Sequence, residues 1–251
     1  MKELIKLRKR REKHFLNSDG TITAYMYNHD VHCKKNGKWE EIDTTLIDKG
    51  TYFENKLNSF NTIFTKNSKD LVNIKKDSYY LKMSCKNHIN LVIDKKNEQI
   101  NYKNTKDNID FIYELKNNKL KESIILNCRE TIPDFLDFVV DTNLALKLDN
   151  NKRIEALNEN NDIIFIIDAP YMLDAANKRN DNIFYSIEKQ DLGYIVKLSL
   201  DKDWLADVNT YYPVVIDPTI INGTGDNVSD AFISSNDPNR VFDGVSYLKI
   251  G

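Results

Sequence analysis

Cysteine is scarce in this sequence. Its 251 residues include three, Cys33, Cys85 and Cys128. An odd, widely spaced set forms neither a disulfide framework nor a Cys-x-x-Cys pair, so all three read as reduced, partly buried side chains. There is little net charge: −2 overall. That argues against nucleic acid or an anionic membrane as the main partner. Long apolar runs are missing too, so no bilayer span is expected. The charged start, Lys2 to Lys13, has no apolar segment behind it, so no secretory signal is read. The catalytic signatures G-x-S-x-G, the P-loop and G-x-G-x-x-G are absent, and no Cys has a credible orienting His.

Hydrophobic residues make up 41% and charged residues 29%, the mixture of a folded globular chain rather than a disordered one. At this length a core of useful size can be buried. Period-two alternation recurs along the chain, as at Ile22-Ala24-Met26, Tyr79-Leu81-Met83-Cys85 and Phe111-Tyr113-Leu115. Asn36-Gly37 between two strands marks a type I′ hairpin, because that turn needs positive φ at both central residues. Other turns are expected at Lys86-Asn87-His88, Asn117-Asn118 and Asp191-Leu192-Gly193. Ile163 to Ile167 is apolar throughout and reads as a core strand. One short helical patch is expected at Asp201-Lys202-Asp203-Trp204-Leu205, capped by Asp201.

The chain is organised around Tyr211 to Thr219. Pro213 and Pro218 fence the β-branched run Val214-Val215-Ile216, which predicts a closing strand buried on both faces. The composition then turns polar. The expected fold class is all-β: an antiparallel β-sandwich-like domain of many short strands, followed by the start of a second β domain. The expected division is 1–220, a linker at 221–227, and a truncated second domain at 228–251.

Three groups of residues could carry chemistry. The basic stretch Lys2, Lys6, Arg8, Lys9, Arg10, Arg11 and Lys13 reads either as a nucleic-acid arm or as a solvated terminus diluted by Glu3 and Glu12. His29, His32 and Cys33 suggest a metal, but strand alternation points His32 away from the other two, so no metal site is expected. Asp201, Asp203, Asp207 and Asp217 could supply a carboxylate pair for glycoside hydrolysis, although capping and surface roles are commoner.

Several stretches resemble, in order, the β-rich region that precedes the DNRLRE domain of bacterial wall-associated and Rhs (YD-repeat) surface proteins. They are Phe15 to Thr21, Val31-His32 with Gly37-Lys38-Trp39 and Glu41 to Leu46, Ile100 to Asn104, Leu120-Lys121-Glu122-Ser123-Ile124-Ile125-Leu126, Ala169 to Ala175, Asp201 to Leu205, and Tyr212 to Thr219. Asp230 to Ser235 with Tyr247 to Gly251 resembles the first strands of a DNRLRE domain. Cys33 departs from the Tyr common at that place. The resemblance implies a non-enzymatic structural or adhesive module of a large surface or secreted protein, partnered by the downstream domains of its own polypeptide. It brings no catalytic residues and no cofactor. The alternative expectation is a carbohydrate-binding module that contacts cell-wall glycan through exposed aromatics, with Trp39, Tyr171 and Trp204 as candidates. A glycoside hydrolase is the third class. With no signal read, a cytoplasmic location stands as the alternative to the surface.

Overall fold

A computed structural model describes residues 1–66, 70–86, 92–104, 107–130 and 132–222, together with the backbone of 232–234, 237–242 and 247–250. The expected Asn87-His88 turn, most of the expected 221–227 linker and the first residues of the expected 89–93 strand lie outside the described residues. The chain forms two compact units. One contains Thr44–Lys56 and Phe60–Thr224; the other contains Met1–Asp43, Leu57–Ser59 and Gly225–Gly251.

The larger unit is built from two antiparallel sheets. The order in the first is Phe184–Lys189, Tyr194–Ser199, Phe135–Thr142, Tyr79–Cys85, Val72–Lys76, Asn61–Thr65, Tyr52–Leu57 and Asp43–Asp48. The main path of the second runs Val92–Lys96, Gln99–Lys103, Ile109–Leu115, Lys119–Leu126, Ile220–Asn222, Ile163–Ile167, Ile154–Leu157 and Ala145–Leu148. Alternation decides which side chains enter the core. Ile109, Phe111, Tyr113 and Leu115 point inward in turn, as do Leu81, Met83 and Cys85 from the other sheet. The inner faces meet through Phe64 and Tyr113, whose ring centroids are 5.7 Å apart, and through the edge-to-face pair Phe111–Phe138 at 6.3 Å. The all-β, sandwich-like class is what the alternation predicted.

The turns follow their local chemistry. Asn36 and Gly37 have φ of 52° and 78°, as the hairpin requires. The short helix is Lys202–Ala206, and the Asp201 side chain accepts from the Trp204 N–H. Val214 and Ile216 of the closing strand are buried. Val215 is only half-buried, a departure from the expected two-faced burial that follows from strand alternation.

In the smaller unit, Lys2–Glu3, Glu12–Leu16, Ile22–Tyr27 and Tyr247–Ile250 form a four-stranded sheet beside the hairpin His32–Lys35/Lys38–Glu41. The pairing of Tyr247–Ile250 with Ile22–Tyr27 gathers the N-terminal residues and the stretch read as the start of a second domain into one unit. The basic stretch is part of this unit, with strands at Lys2–Glu3 and Glu12–Leu16 and a 3-10 turn at Ile5–Leu7. Arg8 grips Glu3 through two hydrogen bonds of 2.7 and 2.8 Å, Arg10 and Arg11 lie against Asp30, and Lys13 pairs with Glu41.

Candidate functional site

The densest chemistry in the larger unit lies where two strands are interrupted side by side. Along one side of Lys119–Leu126, Leu120 pairs with Ile220 and Ile124 pairs with Ile216. The link 217–219 passes the gap between these pairings. Pro218 within it has no N–H to give to a ladder. The next strand is interrupted at the same level: Ile167 pairs with Ile220 and Met172 with Ile216, leaving 168–171 as the second link. Two hydrogen bonds join the links, Asp168 N–H to Thr219 O at 2.8 Å and Asp217 N–H to Tyr171 O at 3.1 Å.

Two carboxyl groups lie on the links of this seam, and a third is buried on the inward face of Lys119–Leu126. Asp217 is oriented by the Tyr171 hydroxyl at 2.9 Å, the Thr219 hydroxyl at 2.6 Å and the Lys121 ammonium at 3.5 Å. Arg179 stacks over the Tyr171 ring, 4.0 Å from its centroid, while pairing with Asp181. Asp168 is half-buried, and loss of water pushes its carboxyl above the usual range. Glu122 is the third. It occupies an inward position of Lys119–Leu126 between Leu120 and Ile124, and it is 1% exposed. Its carboxylate oxygen accepts from the Tyr113 hydroxyl at 2.5 Å. Burial raises its pKa to about 7; the Tyr113 hydrogen bond opposes that rise and the negative charge of Asp217 adds to it. Tyr185 is buried nearby, and its hydroxyl makes no hydrogen bond among the described residues. Burial pushes the phenols of Tyr113 and Tyr185 well up. This arrangement can orient one carboxylate and store one proton. Lys119 and Arg153 also act on Asp168, and Lys121 pairs with Asp217.

Sequence reasoning singled out Asp217 but not Glu122, Asp168, Tyr113 or Tyr185. Glu122 had a legible signal: in the alternation Leu120-Glu122-Ile124-Leu126 it is the one acid on an apolar face. Of the other proposed carboxylates, Asp201 caps the helix and accepts from Asn180 and Asn182, and Asp207 holds the Asn209 turn. Asp203 lies in the first helical turn.

Of the three candidate aromatics, Tyr171 and Trp204 belong to the larger unit. Trp39 belongs to the smaller unit, where it is half-buried with the Lys34 ammonium 5.2 Å from its ring centroid. Tyr171 is at the seam. Trp204 packs on the core of the larger unit. His32 is fully buried, with Nδ1 2.8 Å from Lys9 O, while His29 contacts Asn28. Among the described residues no group of three or more His, Cys, Asp and Glu side chains is arranged to hold a metal ion. Cys33, Cys85 and Cys128 form no disulfide with one another. No helix among the described residues is long and apolar enough to cross a membrane.

Across 97% of its length the chain is 26% identical to the tRNA3(Ser)-specific nuclease WapA of Bacillus spizizenii, the tRNA(Glu)-specific nuclease WapA of Bacillus subtilis subsp. natto and the tRNA nuclease WapA of Bacillus subtilis strain 168. The chain is similar to WapA. The similarity supports a wall-associated family and a cell-surface or secreted place. The matched segment is 11% of the length of each WapA protein. No protein-family model matches the chain, and no solved structure matches it.

The WapA match corrects three expectations. A non-catalytic structural or adhesive module was expected, with a glycan-binding module as the alternative; relatives named as tRNA nucleases overturn that reading, and the alternative gains no support. The expectation of no enzyme falls for the same reason. So does the exclusion of nucleic acid as a partner, because tRNA is the substrate in the relatives' names. The physical fault lay in two inferences. A net charge of −2 is an average over a surface where many cations are paired, and it does not describe any local patch. A missing motif within a segment one-ninth as long as its relatives says nothing about the chemistry of the whole polypeptide.

Proposed function

We propose that this chain is part of a WapA-like nuclease that acts on tRNA. The observation that carries this reading is the similarity of nearly the whole chain to three proteins named as tRNA nucleases. In this reading the bond broken is a phosphodiester of tRNA. The groups of the larger unit best suited to meet RNA phosphates are the cations around the seam, Lys119, Lys121, Arg153 and Arg179. The finer kinship with Rhs and YD-repeat proteins, and the assignment of 228–251 to a DNRLRE-type domain, belong to the same proposal and rest on the quoted motif resemblances.

The test is tRNA cleavage, followed on denaturing gels, by the full-length polypeptide that carries this chain and by residues 1–251 alone. Cleavage by both places the active groups within these residues. Cleavage by the full polypeptide alone keeps the nuclease reading and places those groups elsewhere in it. Intact tRNA in both reactions, with the polypeptide folded, overturns the proposal.

A further inference from the structure

The hairpin His32–Lys35/Lys38–Glu41 carries a charge arrangement that works against its own pairing. Its register sets Lys35 directly opposite Lys38, the pair that closes the Asn36-Gly37 turn, and Lys34 opposite Trp39. Like charges facing each other across two strands destabilise the pair. Lys34, Lys35 and Lys38 are exposed, and among the described residues none of them enters an ion pair. Glu40 stands opposite Cys33, on the same face as Lys35 and Lys38, and pairs with neither. The N-terminal stretch of the same unit differs. There Arg8 meets Glu3, Lys9 meets Glu12, Arg10 and Arg11 meet Asp30, and Lys13 takes up Glu41. Hairpin stability alone gives no reason for three uncompensated ammonium groups at this tip.

The geometry suits an anion from outside. Directly opposed residues have Cβ atoms about 4.5–5.5 Å apart, so two flexible lysine side chains can reach one phosphate together. On the other face Trp39 is half-buried, and the Lys34 ammonium lies 5.2 Å from its ring centroid. Cations beside an aromatic ring serve both parts of a nucleic-acid strand, phosphates on the ammonium groups and bases on the ring. The turn between the two faces is open: nothing lies within 4 Å of a Cβ at Gly37.

We propose that the hairpin tip Lys34–Trp39 is an RNA-binding element: a backbone phosphate bridges Lys35 and Lys38, the strand passes over the turn, and an unpaired base stacks at Trp39. RNA as the occupant rests on the nuclease reading. The cationic tip does not. The role is to hold the nucleic acid, and no bond is broken there.

Fluorescence anisotropy of labelled bulk bacterial tRNA, titrated with the 251-residue chain between about 50 and 200 mM salt, tests this. Gln in place of Lys34, Lys35 and Lys38 is expected to weaken binding about tenfold. It should also flatten the dependence of log Kd on log salt by about 2, the counterion release of three contacts. Gln at Lys96, Lys147 and Lys189, exposed lysines of the larger unit, should change neither. Lys38→Glu separates binding from structure. It sets opposite charges across the turn, so the thermal midpoint holds or rises while affinity falls. Polyphosphate of matched charge should bind about tenfold more weakly than tRNA, since it offers Trp39 no base. Equal affinity for the two overturns RNA as the occupant. No tRNA binding by the chain, or the same loss in both triple variants, overturns the site. If the full-length polypeptide cleaves tRNA all the same, the nuclease reading stands without it. Hairpin-dependent binding by a polypeptide that leaves tRNA intact supports the site and overturns only the nuclease reading.

Discussion

The Tyr171 hydroxyl donates a 2.9 Å hydrogen bond to Asp217 Oδ2, joining residues 46 positions apart across the two interrupted strands. Both residues belong to stretches that resemble the wall-associated family, as do Glu122 and Thr219. The fold brings those separate stretches to one place. Tyr171→Phe removes the hydroxyl and keeps the ring under Arg179. The expected loss is about 1 kcal/mol, the usual worth of one partly exposed hydrogen bond to a carboxylate. Urea unfolding measures it, and an unchanged midpoint would show that Lys121 and Thr219 hold Asp217 unaided.

Glu122 predicts that stability falls as pH rises. Its folded pKa is raised to about 7 from 4.5. Between these values the folded state holds a proton that the unfolded chain has released, so each rise in pH favours unfolding. The loss begins near pH 4.5 and is complete above about 7. Its full size is roughly 3 kcal/mol at about 1.4 kcal/mol per pKa unit. Thermal melts of the unmodified chain and of Glu122→Gln, recorded from pH 4.5 to 8, should differ in slope over that window. Parallel curves would remove Glu122 as the cause.

Among the described glycines, Gly193 is the one at which a side chain is least tolerable. Its φ is +82°, and an added Cβ would lie 2.2 Å from the carbonyl oxygen of Val140 on the adjacent strand. Backbone atoms must move to admit it. Gly193→Ala is expected to destabilise by about 1–3 kcal/mol, combining left-handed strain with that clash. At Gly37, which has nothing within 4 Å of a Cβ, alanine should cost less, since only the backbone term applies. Denaturant midpoints of the two variants check the order.

Asp201 joins the helix to a neighbouring turn. Its carboxylate accepts from Trp204 N–H at 3.0 Å and from the Asn180 and Asn182 amides at 3.0 and 2.9 Å. These bonds hold its pKa below the usual range against the opposing effect of burial. Asp201→Ala should cost about 1–2 kcal/mol through the lost cap. Asp201→Asn keeps an acceptor for the Trp204 N–H and should recover part of it. Tryptophan fluorescence during unfolding would follow both, because Trp204 packs against the core.

Where local rules act alone, the chain could be read directly. Asn36-Gly37, the Asp201 cap and the alternation of Tyr79–Cys85 depend on residues within a few positions, so turn geometry and strand parity suffice. Lys2–Glu3 and Glu12–Leu16 were not legible as strands. Their charges suggest a solvated terminus, and only the partners Arg8–Glu3, Asp30 and Glu41 give those charges somewhere to go.

The sequence by itself determined the class of the molecule and the parity of its strands, including the inward place of Glu122 in Leu120-Glu122-Ile124-Leu126. A period of two is a property of the extended chain and needs no partner. The tertiary structure alone decided that two strands break at the same level, that Asp168, Tyr171 and Asp217 meet on the links there, and that Tyr113 is the hydrogen-bond partner of Glu122. Those outcomes depend on which distant strands pair and in what register. Register is settled by the burial of whole faces, not by any short stretch of residues.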